Sequence, residues 1–317
     1  MDPLLAVHDL SVQYTARDQP PLAALCEVSF EIAPGEAVGI LGESGSGKST
    51  LALALMGLLP EAARVSRGEI LFKGNSLLHL RESAMEKIRG AEMSLIFQDP
   101  ATALNPFLRV QRQVADVIAA HHDWPRSHCS EAASLILSEV GLSDHGRVSS
   151  SYPHQLSGGQ RQRVVIAQAL ACHPALVIAD EPTSSLDTTV QAEILILLKR
   201  MRAEHGLGLL LISHDPAVLA DTVDRILVFY AGELVEDGRT HQVLHAPLHP
   251  YTQALLNCRK DGKMSPIPGQ PPDLQDLPTG CSFEPRCPLK MPICITAPPD
   301  EAEPEKGRRV RCFKYSG

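Results

Sequence analysis

The stretch Gly42-Glu43-Ser44-Gly45-Ser46-Gly47-Lys48-Ser49 lies between an apolar run, Ala37 to Leu41, and a helically spaced segment, Lys48 to Leu59, that Pro60 ends. Strand, glycine-rich turn and helix form the context in which GxxxxGK[ST] makes a phosphate-binding loop. Glycines let successive backbone N–H groups turn inward on an anion, and the helix N-terminus adds positive potential. The expected binding set is Gly42, Ser44, Gly45, Gly47, Lys48, Ser49 and Thr50. Lys48 would reach the β and γ phosphates of a nucleotide, Ser49 would offer its hydroxyl to Mg²⁺, and Thr50 would support an α-phosphate contact.

A second motif completes the chemistry of such a loop. Leu176-Val177-Ile178-Ala179-Asp180-Glu181 is an apolar strand ending in two acids, the form of a Walker B motif. Asp180 is placed to hold Mg²⁺ through water, and Glu181 to polarise a water for in-line attack on the γ-phosphorus. Leu207 to Ile212 reads as another buried strand, with helix-like Val190 to Arg202 before it. Strands alternating with helices imply an α/β fold with a mainly parallel sheet covered on both faces. From about Arg81 to Leu156 the pattern turns helical and polar, as an inserted helical subdomain would. Ile226 to Tyr230 and Glu233 to Glu236 read as a strand pair turning at Ala231-Gly232. Beyond Pro247 the prolines crowd (266, 268, 271, 272, 278, 285, 288, 292, 298, 299 and 304), leaving little room for helix or strand, so something other than a core is expected to hold this tail.

The net charge of −8, from 29 Lys and Arg against 37 Asp and Glu, comes without any basic block, which argues against nucleic acid as a partner. The opening Met1-Asp2-Pro3-Leu4 lacks a basic segment followed by an apolar one. No apolar run approaches the roughly 18 residues of a spanning helix. The expected location is therefore the cytoplasmic side, with any membrane attachment supplied by partners. Four of eight cysteines, Cys281, Cys287, Cys294 and Cys312, crowd into the tail; in a reducing compartment such a cluster reads as metal ligands before disulfides. Their spacing, Cx5Cx6Cx17C, names no particular metal.

Leu156-Ser157-Gly158-Gly159-Gln160, followed by Arg161-Gln162-Arg163 and an amphipathic run to Leu170, resembles the signature sequence of ABC ATPases and sits just upstream of the Walker B strand. Physically it is a second anion site, a helix opened by Ser157 and by the amides of Gly158 and Gly159. The resemblance implies that Ser157, Gly158, Gly159 and Gln160 cap an ATP held by the opposite subunit of a dimer. It implies further that Gln98 is the Q-loop glutamine contacting Mg²⁺ and water. His214 would be the switch histidine that reaches the γ-phosphate, Asp187 part of the D-loop at the dimer contact, and Tyr14 the aromatic that stacks on adenine. The implied fold is the P-loop NTPase cassette of that family, with an antiparallel β part, an inserted helical subdomain at about residues 81–170, and a small Cys-rich C-terminal extension. The expected division is 1–246 for the ATPase domain and 247–317 for the extension.

Phe97-Gln98-Asp99-Pro100, Leu104-Asn105-Pro106, Tyr152-Pro153-His154-Gln155, His249-Pro250-Tyr251-Thr252, and Gly280-Cys281 through Arg286-Cys287-Pro288 are similar to the peptide and nickel uptake branch of ABC transporters. That branch implies an ATP-hydrolysing subunit of an importer, at the cytoplasmic face of the membrane. Its partners would be a second, related ATPase in a heterodimer, two transmembrane permease subunits and an extracytoplasmic solute-binding protein. It also implies a [4Fe–4S] cluster on Cys281, Cys287, Cys294 and Cys312, with Zn²⁺ as the rival. The alternative class, an ABC ATPase acting in DNA repair or on ribosomes, would call for a long insertion between Gln98 and Leu156 or a second cassette, and the sequence has neither.

Overall fold

The computed structural model describes residues 2–15, 20–142, 145–258 and 266–316. Its strands are β1 (Leu5–Tyr14), β2 (Leu22–Ile32), β3 (Ala37–Leu41), β4 (Ala63–Phe72), β5 (Asn75–Ser76), β6 (Met93–Ile96), β7 (Leu176–Asp180), β8 (Gly208–Ser213), β9 (Arg225–Tyr230), β10 (Glu233–Arg239), β11 (Glu301–Glu305) and β12 (Arg308–Arg311). The α-helices are α1 (Lys48–Leu55), α2 (Glu82–Ile88), α3 (Pro100–Ala103), α4 (Val110–His121), α5 (Arg126–Glu139), α6 (His145–Ser150), α7 (Gly158–Leu170), α8 (Thr188–His205), α9 (Pro216–Ala220), α10 (Thr240–His245), α11 (Pro250–Asn257) and α12 (Ile293–Thr296). Two compact units result: Met1–Ile32, Ala37–Leu78 and Leu211–Gly317 in the first, Ala33–Glu36 and His79–Leu210 in the second.

In the first unit β1 pairs antiparallel with β2 and β4, and β5 completes this sheet. Another set runs β11-β12-β10-β9-β3, in which β3 and β9 are parallel and the remaining pairs antiparallel. All five residues of β3 are buried, the continuous apolar pattern of a strand covered on both faces. The β9–β10 turn falls at Ala231-Gly232, both at positive φ (48° and 82°), the backbone that matches a two-residue hairpin to strand twist. Helix α1 ends at Leu55, short of Pro60, because Gly57 takes φ 61° and closes the helix first.

The second unit carries most of the helices. Here β6 and β7 are parallel, with Met93 opposite Leu176. Helix α4 buries Val110, Val114 and Ile118, one face at i, i+4 and i+8. Asp187 caps α8 by accepting the amide of Val190 (3.0 Å), and Gly206 in the left-handed region ends it.

The Pro-rich tail departs from expectation. It forms α11, α12 and the hairpin β11–β12, and β12 adds to β10 with Glu236 opposite Val310. Phe283, Ile267 and Val310 are buried, and the Phe283 ring meets Tyr230 and Tyr251 edge-on at 5.2 and 5.5 Å. Prolines confine helices to short pieces, yet they leave an edge strand possible and do not prevent apolar burial. This segment therefore has a core, built with α11 and shared with β9. Polar ties reinforce it: the buried Glu236 carboxylate accepts the amides of Leu248 (2.8 Å) and His249 (2.9 Å) and pairs with Arg308 (3.4 Å), while Asp237 pairs with Arg225 and Arg309.

Candidate functional site

The phosphate loop joins β3 to α1. Gly47 has φ 99°, and a Cβ there would strike the carbonyl of Ala24, so only glycine fits at the turn into the helix. Ser44, Gly45 and Ser49 line an exposed rim, while Lys48 is buried. Its ammonium donates to the carbonyls of Gly42 (2.9 Å) and Glu43 (2.7 Å) and approaches the Ser46 hydroxyl (3.4 Å). The buried charge is thus held on the loop's own oxygens, a short swing from the rim. Tyr14, at the end of β1, has its hydroxyl 3.4 Å from Thr50 Oγ1, which places the aromatic beside the start of α1. His214 follows β8 and is exposed; the cap of α9 is its neighbour Asp215, which accepts the amide of Ala217 (2.9 Å).

Glu43 was not singled out from sequence, and it anchors the loop. Its amide donates to the Tyr251 hydroxyl (2.9 Å), and its carboxylate accepts two bonds from the Arg286 guanidinium (2.8 and 3.2 Å). Residues 208 and 243 positions away give no local signal of such pairing.

In the second unit Asp180 ends β7, Glu181 follows it, and Gln98 follows β6. Gln98 Nε2 donates to Glu181 Oε2 (3.2 Å), so the two residues expected to handle the attacking water are already joined. Glu181 has φ 47°, a left-handed conformation unusual for a side chain with a Cβ, and such positions concentrate at functional sites. Ser157 is the N-cap of α7: Gln160 N donates to Ser157 Oγ (3.2 Å) while Gln160 Oε1 accepts the amide of Ser157 (3.0 Å). This is a capping box, readable in advance as S-x-x-Q before an amphipathic run. It gives Gln160 a local role in addition to the one expected for it. Gly158 and Gly159 form the first turn of α7, half-buried, and Asp187 caps α8.

Cys281, Cys287, Cys294 and Cys312 line one cavity of about 70 Å³, together with His249 and Phe283. Gly280 lies so close to the carbonyl of Cys294 that a Cβ would collide with it, and the amide of Cys281 donates to that same carbonyl (2.8 Å). Burial first, then the Glu233 carboxylate and the thiols of Cys294 and Cys312, push the Cys281 thiol up to about 12; the Phe283 amide pulls the other way. Burial drives His249 down to about 3, so its ring stays neutral and Nδ1 accepts the amide of Tyr251 (3.0 Å). Among the described residues no three His, Cys, Asp or Glu side chains converge as a site for a single metal ion. No described helix is long and apolar enough to cross a membrane.

Residues 25–184 match the ABC transporter family, and residues 235–294 match the oligopeptide/dipeptide transporter C-terminal region. The chain is 44% identical over 318 residues to the oligopeptide transport ATP-binding protein OppD of Escherichia coli, covering 99% of this chain and 94% of that one. It is 42% identical over 319 residues to the dipeptide transport ATP-binding protein DppD of Bacillus subtilis, covering 99% and 95%. Among solved structures, an ATP-binding cassette in a dimeric post-hydrolysis state bound to ADP and Pi superposes with a TM-score of 0.67 at 29% identity, covering 74% of this chain and 98% of that one. The cbiO1 protein of Clostridium perfringens, part of the ABC transporter complex cbiONQ, gives 0.66 at 29% identity, covering 78% and 92%.

Proposed function

Because the chain belongs to the ABC transporter family and carries the C-terminal region of its oligopeptide and dipeptide members, we propose that it is the ATP-hydrolysing subunit that drives a membrane importer of peptides or similar small solutes. The observation that carries this reading is the presence, in one chain, of the Lys48 loop and of a transporter-type C-terminal region. A DNA-repair or ribosomal ABC ATPase has no use for the second.

The residues divide the chemistry. On ATP binding Lys48 exchanges the carbonyls of Gly42 and Glu43 for the β and γ phosphate oxygens, and the loop amides take the remaining charge. Ser49, Asp180 and Gln98 offer the oxygen donors that Mg²⁺ prefers; the ion, when bound, neutralises charge building on the phosphates. Glu181, oriented by Gln98, polarises the attacking water, and His214 steadies the γ-phosphate. Tyr14 stacks on adenine. Ser157 with the amides of Gly158 and Gly159, alongside Gln160, closes on the ATP of a second ATPase, and Asp187 lies at that contact. Closure of this pair moves two permease subunits that receive solute from an extracytoplasmic binding protein; the ATPase sits peripherally on the cytoplasmic face. The partner ATPase is a related but distinct chain, and 247–317 is the region that distinguishes this branch from a bare cassette of 1–246.

The four tail thiols form the all-sulfur donor set that a [4Fe–4S] cluster takes, and their placement around one cavity supports that assignment. Bound there, a cluster would hold the thiolates that burial otherwise disfavours. Anaerobically purified chain should contain about four iron and four sulfide per molecule; zinc without iron would decide for the rival.

The function is tested with Glu181→Gln in the assembled transporter. Expected are ATP-stabilised dimers with turnover and ATP-driven peptide uptake lost. Undiminished hydrolysis would remove Glu181 from its role.

A further inference from the structure

The tie between Glu43 and Arg286 has no part in the chemistry above, yet it joins the phosphate loop to the C-terminal region. Glu43 is the second residue of the loop. A carboxylate there is an anion at the edge of a site that must receive a triphosphate, and an uncompensated charge would repel the ligand. Arg286 removes that penalty. Its side chain is only 3% exposed, against 29% for Glu43, and its two terminal nitrogens meet both carboxylate oxygens in a fork. Its other donors go to the Tyr230 hydroxyl and the carbonyls of Ile267 and Pro268, each at 3.3 Å. Arginine keeps its charge at any working pH, so the compensation is permanent.

Each polar handle of Glu43 is thereby engaged: the carboxylate by Arg286, the amide by the Tyr251 hydroxyl, and the carbonyl by Lys48. Two of the three partners lie beyond residue 250. One of the two carbonyls on which Lys48 rests therefore belongs to a residue tied to the C-terminal region. The guanidinium also packs 5.7 Å over the Tyr230 ring, at the end of the strand that pairs with β3.

We propose that Arg286 is a positioning residue for ATP: by neutralising Glu43 and fixing the opening of the phosphate loop, it makes the nucleotide affinity of the cassette depend on the C-terminal region. The inference rests on the ATPase reading. Failure of that reading would show as wild-type chain that does not bind ATP at all.

The test is equilibrium binding of ATP, ADP and AMP to full-length chain with Mg²⁺, for wild type, Arg286→Gln, Glu43→Gln and the double variant. Arg286→Gln should weaken ATP by ~10-fold or more, as expected when one partner of a buried charge pair is removed. The loss should shrink from ATP to ADP to AMP, because the exposed carboxylate repels phosphate charge; a merely structural defect would weaken all three alike. Glu43→Gln in the Arg286→Gln background should restore ATP affinity to within ~3-fold of wild type. Unchanged ATP binding by Arg286→Gln, an equal loss for all three nucleotides, or absence of rescue by the second substitution would each overturn the proposal. Should Arg286→Gln not fold, Arg286→Lys decides: charge is kept and the fork lost, so ATP should weaken by roughly 3-fold and ADP and AMP by less, whereas wild-type affinity for ATP would refute the role.

Discussion

The phosphate loop and the cysteine-bearing tail belong to the same compact unit but are held by opposite means. The loop is a backbone object: Gly45 and Gly47 at positive φ, a lysine resting on carbonyls, and a rim of exposed small residues. The tail is a side-chain object, in which Phe283 lies among Tyr230, Tyr251 and His249, and Arg308 and Arg309 close on Glu236 and Asp237 of β10. The Lys48 ammonium can exchange a carbonyl for a phosphate without rearranging packing, so the loop binds and releases. Packed aromatics cannot do so cheaply, and the tail accordingly serves as a fixed frame.

That contrast breaks if the loop survives loss of its charge. Lys48→Ala should lower ATP affinity by at least about 100-fold, since a charge-assisted contact to phosphate is lost from a site with few alternatives, while thermal stability of the tail changes little. Calorimetric titration of the full-length chain measures the first and a melting curve the second. A variant that binds ATP normally would mean that the amides alone do the work.

The tail side of the comparison is sharpened by setting core against metal ligand. Phe283→Ala should cost about 3–5 kcal/mol, as expected for emptying a buried aromatic site, and should also lower ATP affinity through Arg286 three residues on. If the proposed cluster is bound, Cys294→Ser should abolish iron content yet cost less stability than Phe283→Ala, because the apolar contacts remain. Chemical denaturation with iron analysis on the same samples gives both readings. The reverse order would mean that something other than the apolar core holds the tail, as the proline content suggests.

These regions also differ in what could be read beforehand. The loop's shape was legible because its residues are contiguous: eight positions between a strand and a helix spell out the glycine turn and the helix start, and Asp180 and Glu181 follow the same logic at and just after the end of β7. Cysteine identity was equally plain. The tail's core was not, since prolines mask the short elements and Phe283 acquires meaning only beside Tyr230 and Tyr251, far away in sequence. Arg286 on Glu43 is the extreme case. Nothing local marks a salt bridge across 243 positions, because Arg286 is aimed at Glu43 by distant partners, the Tyr230 hydroxyl and the carbonyls of Ile267 and Pro268. Family resemblance supplied the roles of Gln98 and His214, and spacing alone could not have done so.

The smallest effect concerns Gln160, where a local reading was available and passed over. Its side-chain oxygen accepts the amide of Ser157 at 3.0 Å, so its first effect is on the opening of α7. Gln160→Ala should cost roughly 0.5–1 kcal/mol, whereas Gln160→Glu keeps the acceptor, adds a negative charge at a helix N-terminus and should be neutral or slightly stabilising. Ser157→Ala shares the capping cost of about 1 kcal/mol but should in addition stop turnover of the assembled transporter if, as proposed, the hydroxyl serves the partner's ATP as well as the helix. Denaturation of the isolated chain separates the capping cost from the catalytic one. If Gln160→Glu hydrolysed as poorly as Ser157→Ala while remaining fully stable, the glutamine would face the nucleotide directly, since only a ligand bearing phosphates would object to the new charge while the cap accepts it.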